Sequence, residues 1–259
     1  IVLALVLGSV GLAALFGLGP VQYLRTVLVG VFSSRTLFLA ALVLGIMVLS
    51  NAMNRMGQIK RLIDSFRDLV GESRLMLVAF PAMIGLLPMP GGAVFSAPMV
   101  GEASRNSQLS PESKSAINYW FRHVWEFWWP LYPGVIVALA LTPVAPIRFM
   151  LLAMPMSLVA IGAGSVVTLR HAHLGGGGRR LNLTGANLGR FLVEMTPIFI
   201  VIGSLLILGL PAARLGERLG TDSLMVSRAP ILLGVVLAVS WVIKTGQGGM
   251  RDLFDLLRQ

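Results

Sequence analysis

The sequence has no cysteine and few charged residues. Without cysteine there can be no disulfide, no thiolate-ligated zinc and no thiol nucleophile. Only 12% of the 259 residues are charged, against 56% hydrophobic, where a soluble domain carries about 25% charged residues. A chain this apolar cannot cover itself with a polar surface, so lipid must solvate much of it. No GxGxxG, Walker A, HExxH or GxSxG pattern occurs, so ATP hydrolysis by this chain is not expected. No catalytic set, metal site or organic cofactor is therefore expected.

The net charge is +10. The Lys and Arg residues lie between apolar segments, where they orient a membrane protein, and they form no basic patch apart from those flanks. Nucleic acid is not an expected partner; the lipid bilayer is.

Apolar runs suited to crossing a bilayer fall at residues 1–18, 36–53, 117–142, 147–169, 191–210 and 229–243. The first opens at Ile1 without a preceding basic residue, so it reads as a membrane helix cut near its start rather than as a signal peptide. Residues 20–34 suit an interfacial helix. In residues 55–70, Ile59, Leu62, Ile63, Phe66 and Leu69 recur at helical spacing, with Lys60, Arg61, Arg67 and Asp68 elsewhere on the wheel. That pattern fits an amphipathic helix at the membrane surface or a plain connector.

Residues 75–101 hold no charge but contain Pro81, Pro88, Pro90, Gly91, Gly92 and Pro98. A straight helix does not tolerate that cluster. A break at Pro88–Gly92 leaves arms of roughly 13 and 9 residues, each reaching about half of a ~30 Å hydrocarbon core. The expectation is a re-entrant helical hairpin over 75–103, with a single kinked crossing as the alternative.

At the hairpin tip, Gly91 and Gly92 let backbone approach a ligand closely. The second arm, starting near Gly92, aims its first N–H groups at the tip, a natural place for a carboxylate or other anion. The carbonyls near Leu86 and Leu87 are candidates for Na⁺. Ser96 lies about one turn into the second arm. A structural kink with no site is the alternative.

Ser110-Pro111-Glu112 marks a helix start. The stretch after it holds Trp120, Trp125, Trp128 and Trp129 of the five tryptophans, together with Tyr132. Such clustering builds interfacial belts. Pro130 and Pro133 should bend or break this stretch. Asn118, Arg122, His123 and Glu126 form a second polar constellation. Arg122 and Glu126 stand at i, i+4 and can pair on one helix face. Such residues act as a charge or proton relay or as a satisfied ion pair beside a Trp belt. Asn51, Asn54 and Glu194 are weaker polar spots. His171 and His173 lack a supporting acid and read as solvated loop residues, and Asn182 begins a glycosylation-like triplet. The Gly175–Gly178 run reads as a flexible linker.

Treating the hairpin as re-entrant places Arg25, Arg35, Arg148, Arg214, Arg218 and Arg228 on one side and the rest of the 21 Lys and Arg on the other. The second side is then cytoplasmic, and a multi-pass protein of the inner (plasma) membrane is expected.

Ile59–Arg67 and Met250–Arg258 align, with Leu62, Asp64 and Arg67 matching Leu253, Asp255 and Arg258. Secondary transporters are commonly built from two repeats. On that basis residues 1–245 form a transmembrane bundle with a first repeat, and 246–259 begin a second that continues beyond Gln259. The four crossings counted between the copies would make the repeats parallel, so either the count over 110–142 or the repeat itself is in question.

The segments PMPGGAVFSAPMVGEAS from Pro88 and NYWFRHVWEFWWPLYPG at 118–134 resemble the integral-membrane family catalogued as domain of unknown function 401. The resemblance covers most of the chain. It implies kinship with an ion-transporter superfamily of arsenite, citrate and gluconate permeases, about ten membrane segments and paired re-entrant hairpins. Substrate in that superfamily is bound at hairpin tips, which carries over to Pro88, Pro90, Gly91, Gly92 and Ser96.

The expected fold is thus an all-α, polytopic membrane bundle with a re-entrant hairpin, one part of a two-repeat transporter fold. The expected function is H⁺- or Na⁺-coupled transport of a small anion, such as an organic carboxylate, with homo-oligomerisation left open. The alternative is an intramembrane enzyme acting on a lipid headgroup phosphate. A membrane scaffold without transport is the blandest option.

Overall fold

A computed structural model describes residues 2–70, 74–87, 92–105, 107–142, 144–169, 184–218 and 223–246. Among the described residues all regular structure is helical, 84% of them in twelve helices, with no strand. Among the described residues, three helices are long and apolar enough to cross a membrane: Ser34–Arg55, Pro146–Leu169 and Thr196–Gly216. Large apolar side chains stay uncovered along the second of them, including Leu151, Leu152, Leu158 and Val159. Water would not tolerate so long an apolar surface, and hydrocarbon does. The chain is a helical membrane protein.

Contacts divide the chain into two compact units, Ile1–Ala41 and Leu42–Gln259. The first contains α1 (Val2–Leu15) and α2 (Pro20–Val31). Gly17 turns the chain between them with φ +68°, a left-handed conformation that glycine adopts without strain. Pro20 opens α2 at a position where its missing N–H has no helical partner to lose. The Ser9 and Tyr23 hydroxyls meet at 2.8 Å and tie the two helices. The helix α3 (Ser34–Arg55) begins in this unit and runs into the second.

Gly57, with φ +69°, separates α3 from α4 (Gln58–Val70). The expected amphipathic helix is present. Ile59, Leu62, Ile63 and Leu69 are buried, against α10 (Gly185–Glu194) on one side and α5 (Arg74–Gly85) on the other. The Phe66 ring joins both neighbours, 5.6 Å from Phe191 and 6.4 Å from Phe80. Protein therefore covers the apolar face of α4.

The proline-glycine stretch divides into two 12-residue helices, α5 and α6 (Gly92–Ala103), which pack against each other. Two packed arms stand on either side of the expected break, the second longer than the nine residues its sequence suggests. Next comes α7 (Pro111–Arg122), capped by the Ser110 hydroxyl, which accepts from the Ser113 N–H at 3.3 Å. Leu77, Ala82, Val100, Ile117 and Phe121 form one buried cluster joining α5, α6 and α7.

The expected crossing over 117–142 is not one helix. It comprises the end of α7, a run of turns over 123–132, and the nine-residue α8 (Pro133–Leu141). Pro130 and Pro133 lack the N–H that a continuous helix would use. The expected run 191–210 is likewise divided, between α10 and α11 (Thr196–Arg218), where Pro197 follows the break at Met195. The crossing expected over 147–169 is α9 (Pro146–Leu169), and the last is α12 (Ser223–Thr245). In the α11–α12 pair, a Cβ on Gly234 would lie 2.9 Å from the Val201 Cα. The Ser204 hydroxyl donates to the Pro230 carbonyl at 2.7 Å. Residues 247–259, and with them the second copy of the proposed repeat, lie outside the described residues.

Candidate functional site

A helix broken in mid-course has two unfinished ends: carbonyls without donors and N–H groups without acceptors. In the α5–α6 hairpin the carbonyl end is closed by aromatic side chains from the turns after α7. The Trp125 indole donates to the Ala82 carbonyl at 2.7 Å, the Tyr132 hydroxyl to Gly85 at 2.6 Å, and the Trp129 indole to Leu86 at 2.9 Å. The Leu86 carbonyl, a candidate Na⁺ ligand from sequence, therefore already accepts an N–H.

The other two clustered tryptophans are also engaged inside the protein. Trp120 donates to the Ala160 carbonyl at 2.8 Å, and Trp128 to the Ser157 hydroxyl at 2.9 Å. The Trp120 ring edge occupies the space that a side chain on Gly164 would need. Each of the four indole N–H groups thus serves a protein oxygen.

The end of α7 meets the end of α5 at Gly85. A Cβ there would collide with the Arg122 carbonyl oxygen and lie 2.9 Å from the carbonyl carbon. Only glycine allows the two backbones this approach.

The start of α6 is held from the same helix. The Asn118 amide N–H donates to the Ala93 carbonyl at 3.1 Å. Asn118 is 7% exposed, and its Oδ1 has no hydrogen-bond partner among the described residues. A buried acceptor left unmatched is unfavourable, so the site gains when a donor reaches it. Ser96 is fully buried and donates to the Gly92 carbonyl at 3.1 Å. Its hydroxyl retains lone pairs, which makes it an acceptor toward a ligand rather than a free donor. Gly92 is itself buried.

The two constellations thus converge in part. Gly92, Ser96 and Asn118 come together at the start of α6, and the Arg122 main chain reaches the end of α5. His123 and Glu126 do not join them. The helix ends at Arg122, so turns rather than a continued α7 face carry Glu126. The Glu126 Oε1 lies 3.8 Å from the His123 Nε2. The His123 Nδ1 contacts the Tyr119 carbonyl, which can only accept, so Nδ1 carries the proton of the neutral ring. The Nε2 lone pair is then available for a second proton beside a carboxylate. Pro88, Pro90 and Gly91 lie outside the described residues, as do His171, His173, Gly175–Gly178 and Asn182.

Of the weaker polar spots, Asn51 accepts from the Arg55 Nε at 3.3 Å. Glu194 is paired across α4 and α10: its carboxylate lies 3.2 Å from the Arg61 Nε, and its carbonyl accepts from Gln58 at 3.0 Å. Arg61 also donates to the Met56 carbonyl and the Gln58 side chain. Among the described residues, no group of three His, Asp or Glu is placed to hold a metal ion.

The sequence matches, over residues 1–216, the profile of a family described as Protein of unknown function (DUF401). The chain belongs to the DUF401 family. The match takes in the hairpin, the aromatic turns and Asn118, so the whole candidate site lies inside the DUF401 region. No curated protein and no solved structure matches the chain.

Sequence reasoning missed the capping roles of Trp125, Trp129 and Tyr132 and the contact at Gly85. The aromatic cluster was visible, but its partners lie 43 to 47 residues earlier. Gly85 is one of 29 glycines and carries no local mark.

Proposed function

We propose that this protein is a secondary transporter of a small anion, such as an organic carboxylate, bound at the tip of the α5–α6 hairpin and coupled to H⁺ or Na⁺. The observation that carries the reading is the asymmetry of the broken helix. The α5 carbonyls are matched by Trp125, Tyr132 and Trp129, which reduces the negative potential at that end. The α6 N-terminus, whose first N–H groups have no intrahelical partner, retains a positive end suited to an anion. Asn118 fixes that first turn and adds a buried acceptor for a hydroxyl, an ammonium, water or Na⁺.

Kinship with the arsenite, citrate and gluconate permeases belongs to this proposal, since it rests on sequence resemblance. So do the two-repeat architecture, the plasma-membrane location and the multi-pass topology. In the mechanism, the hairpin moves against longer helices such as α3 and α11 and exposes its tip to each side in turn. His123 and Glu126, near the end of α7, are the candidates to accept and release a coupling proton.

The rival is an enzyme acting on a lipid headgroup phosphate, for which an arginine and an acid at the tip would be needed. The Arg122 main chain does approach Gly85, but Glu126 is 47% exposed and turned to His123. Transport is therefore favoured. The test is uptake of labelled carboxylates into proteoliposomes under an imposed Na⁺ or pH gradient. Uptake driven by one gradient supports the reading. Release of phosphate from lipid, with no uptake, supports the rival.

A further inference from the structure

A second polar region lies between α4 and α10, away from the hairpin tip. Gln58 and Arg61 pair with Glu194 at one end, and the Asn187 amide approaches the Asp68 carbonyl at 3.5 Å at the other. The two helices therefore run antiparallel and are tied at both ends. Between them is a cavity of about 370 Å³, lined by Arg61, Asp64 and Asp68 of α4 and by Arg190, Val193 and Glu194 of α10.

The charges in this cavity are unequally matched. Arg61 and Glu194 satisfy each other. The side chains of Asp64, Asp68 and Arg190 make no hydrogen bond or ion pair with the described residues. One wall of the groove thus offers two exposed carboxylates and the other an exposed guanidinium. The ligand that fits joins an anion able to receive a guanidinium fork to an ammonium able to donate to carboxylates.

The rim identifies the source. Val193 of α10 lines the groove and, like Leu188 and Leu192 of the same helix, is an exposed apolar side chain. Past Met195 the chain enters α11, one of the three helices able to cross a membrane. The groove therefore lies next in sequence to a helix able to cross a membrane, a place suited to a lipid headgroup, and α10 carries exposed apolar side chains for acyl chains.

We propose that this groove binds the headgroup of a phospholipid bearing a primary ammonium, of the phosphatidylethanolamine type. Arg190 takes the phosphate, and Asp64 and Asp68 take the ammonium. Trimethylation of the nitrogen removes the N–H donors that the carboxylates require, so a choline headgroup is a poor substitute. The proposal stands apart from transport at the hairpin tip.

The test is the melting temperature of the detergent-purified protein with added dioleoyl lipid in mixed micelles. Phosphatidylethanolamine should raise it by about 3–5 °C, and phosphatidylcholine and phosphatidylglycerol by far less. Free O-phosphoethanolamine, without acyl chains, should give a small fraction of that rise. The paired variant Asp64→Asn/Asp68→Asn, and Arg190→Gln separately, should melt near the wild-type temperature without lipid and lose the selective shift. Equal shifts with all three lipids would overturn the proposal, as would an ethanolamine shift that survives both variants or no shift at all. A full shift with O-phosphoethanolamine alone would overturn the assignment to lipid.

Discussion

The indole nitrogen of Trp129 stands 2.9 Å from the carbonyl oxygen of Leu86, the last stretch of chain before the hairpin tip. Trp129 is 8% exposed and Leu86 is 7% exposed, so this bond forms where water is scarce. With Tyr132 on Gly85 it supplies donors at the end of the half-helix, and Trp125 adds a second N–H to the Ala82 carbonyl, which already accepts from the Leu86 N–H. The break in the hairpin is therefore a supported feature of the fold.

Tyr132→Phe should destabilise the protein by about 1–3 kcal/mol, because it removes one donor and leaves the buried Gly85 carbonyl less satisfied. Denaturation in detergent, followed by tryptophan fluorescence, measures it. A change within error would mean that Gly85 finds another donor at no loss.

Gly85→Ala should be more damaging than its one added methyl suggests, since the Cβ meets the Arg122 backbone, which has no rotamer by which to yield. Overpacking of this kind costs about 1–3 kcal/mol. Gly101 in α6 has nothing within 4 Å of a built Cβ. Gly101→Ala should leave stability unchanged or raise it by up to about 1 kcal/mol through helix propensity. Comparing the melting temperatures of the two variants separates a packing effect at residue 85 from a general intolerance of substitution.

Two ion pairs leave α4, and they should differ in strength. Arg61 and Glu194 are 27% and 18% exposed, and Arg61 makes further bonds to Met56 and Gln58. A double-mutant cycle on this pair should give a coupling of about 1 kcal/mol. Arg67 and Glu102, 37% and 55% exposed, should couple by less than about 0.5 kcal/mol, and by less still in high salt. The reverse order would show that solvent screening does not govern these contacts.

Asn118→Leu removes both the donor to Ala93 and the unmatched acceptor. The Ala93 carbonyl keeps its place in α6, so stability without ligand should fall by less than about 1 kcal/mol. Any stabilisation by a ligand at the tip should be lost. Isothermal titration with an anion identified by uptake would check the second part, and unchanged affinity would remove Asn118 from the site.

Much of the helical layout is written locally. Ser110-Pro111-Glu112 starts α7 as its side chains dictate, and the run from Pro88 to Gly92 separates two helices because proline and glycine act on their own backbone. The end of α7 at Arg122 is not written that way. No proline or glycine occurs between Arg122 and Trp129, and the helix gives way to turns that carry three donors onto α5. In sequence the clustered tryptophans have the composition of an interfacial belt. Their acceptors, like the Arg61 partner of Glu194, are distant in sequence and become neighbours only on folding. Asn118 was visible as a polar residue, but not its contact with the first turn of α6.

The central claim is that the start of α6 binds a small anion. Its most direct test is the melting temperature of the purified protein against a panel of carboxylates and oxyanions, with and without Na⁺, for wild type and Gly92→Val. Binding to the native state alone raises the melting temperature by about 4 °C or more at concentrations well above Kd. Such a shift is expected with one anion class in the wild type and none in a Gly92→Val variant that still melts cooperatively. An equal shift in both proteins, or no shift with any anion, would contradict it.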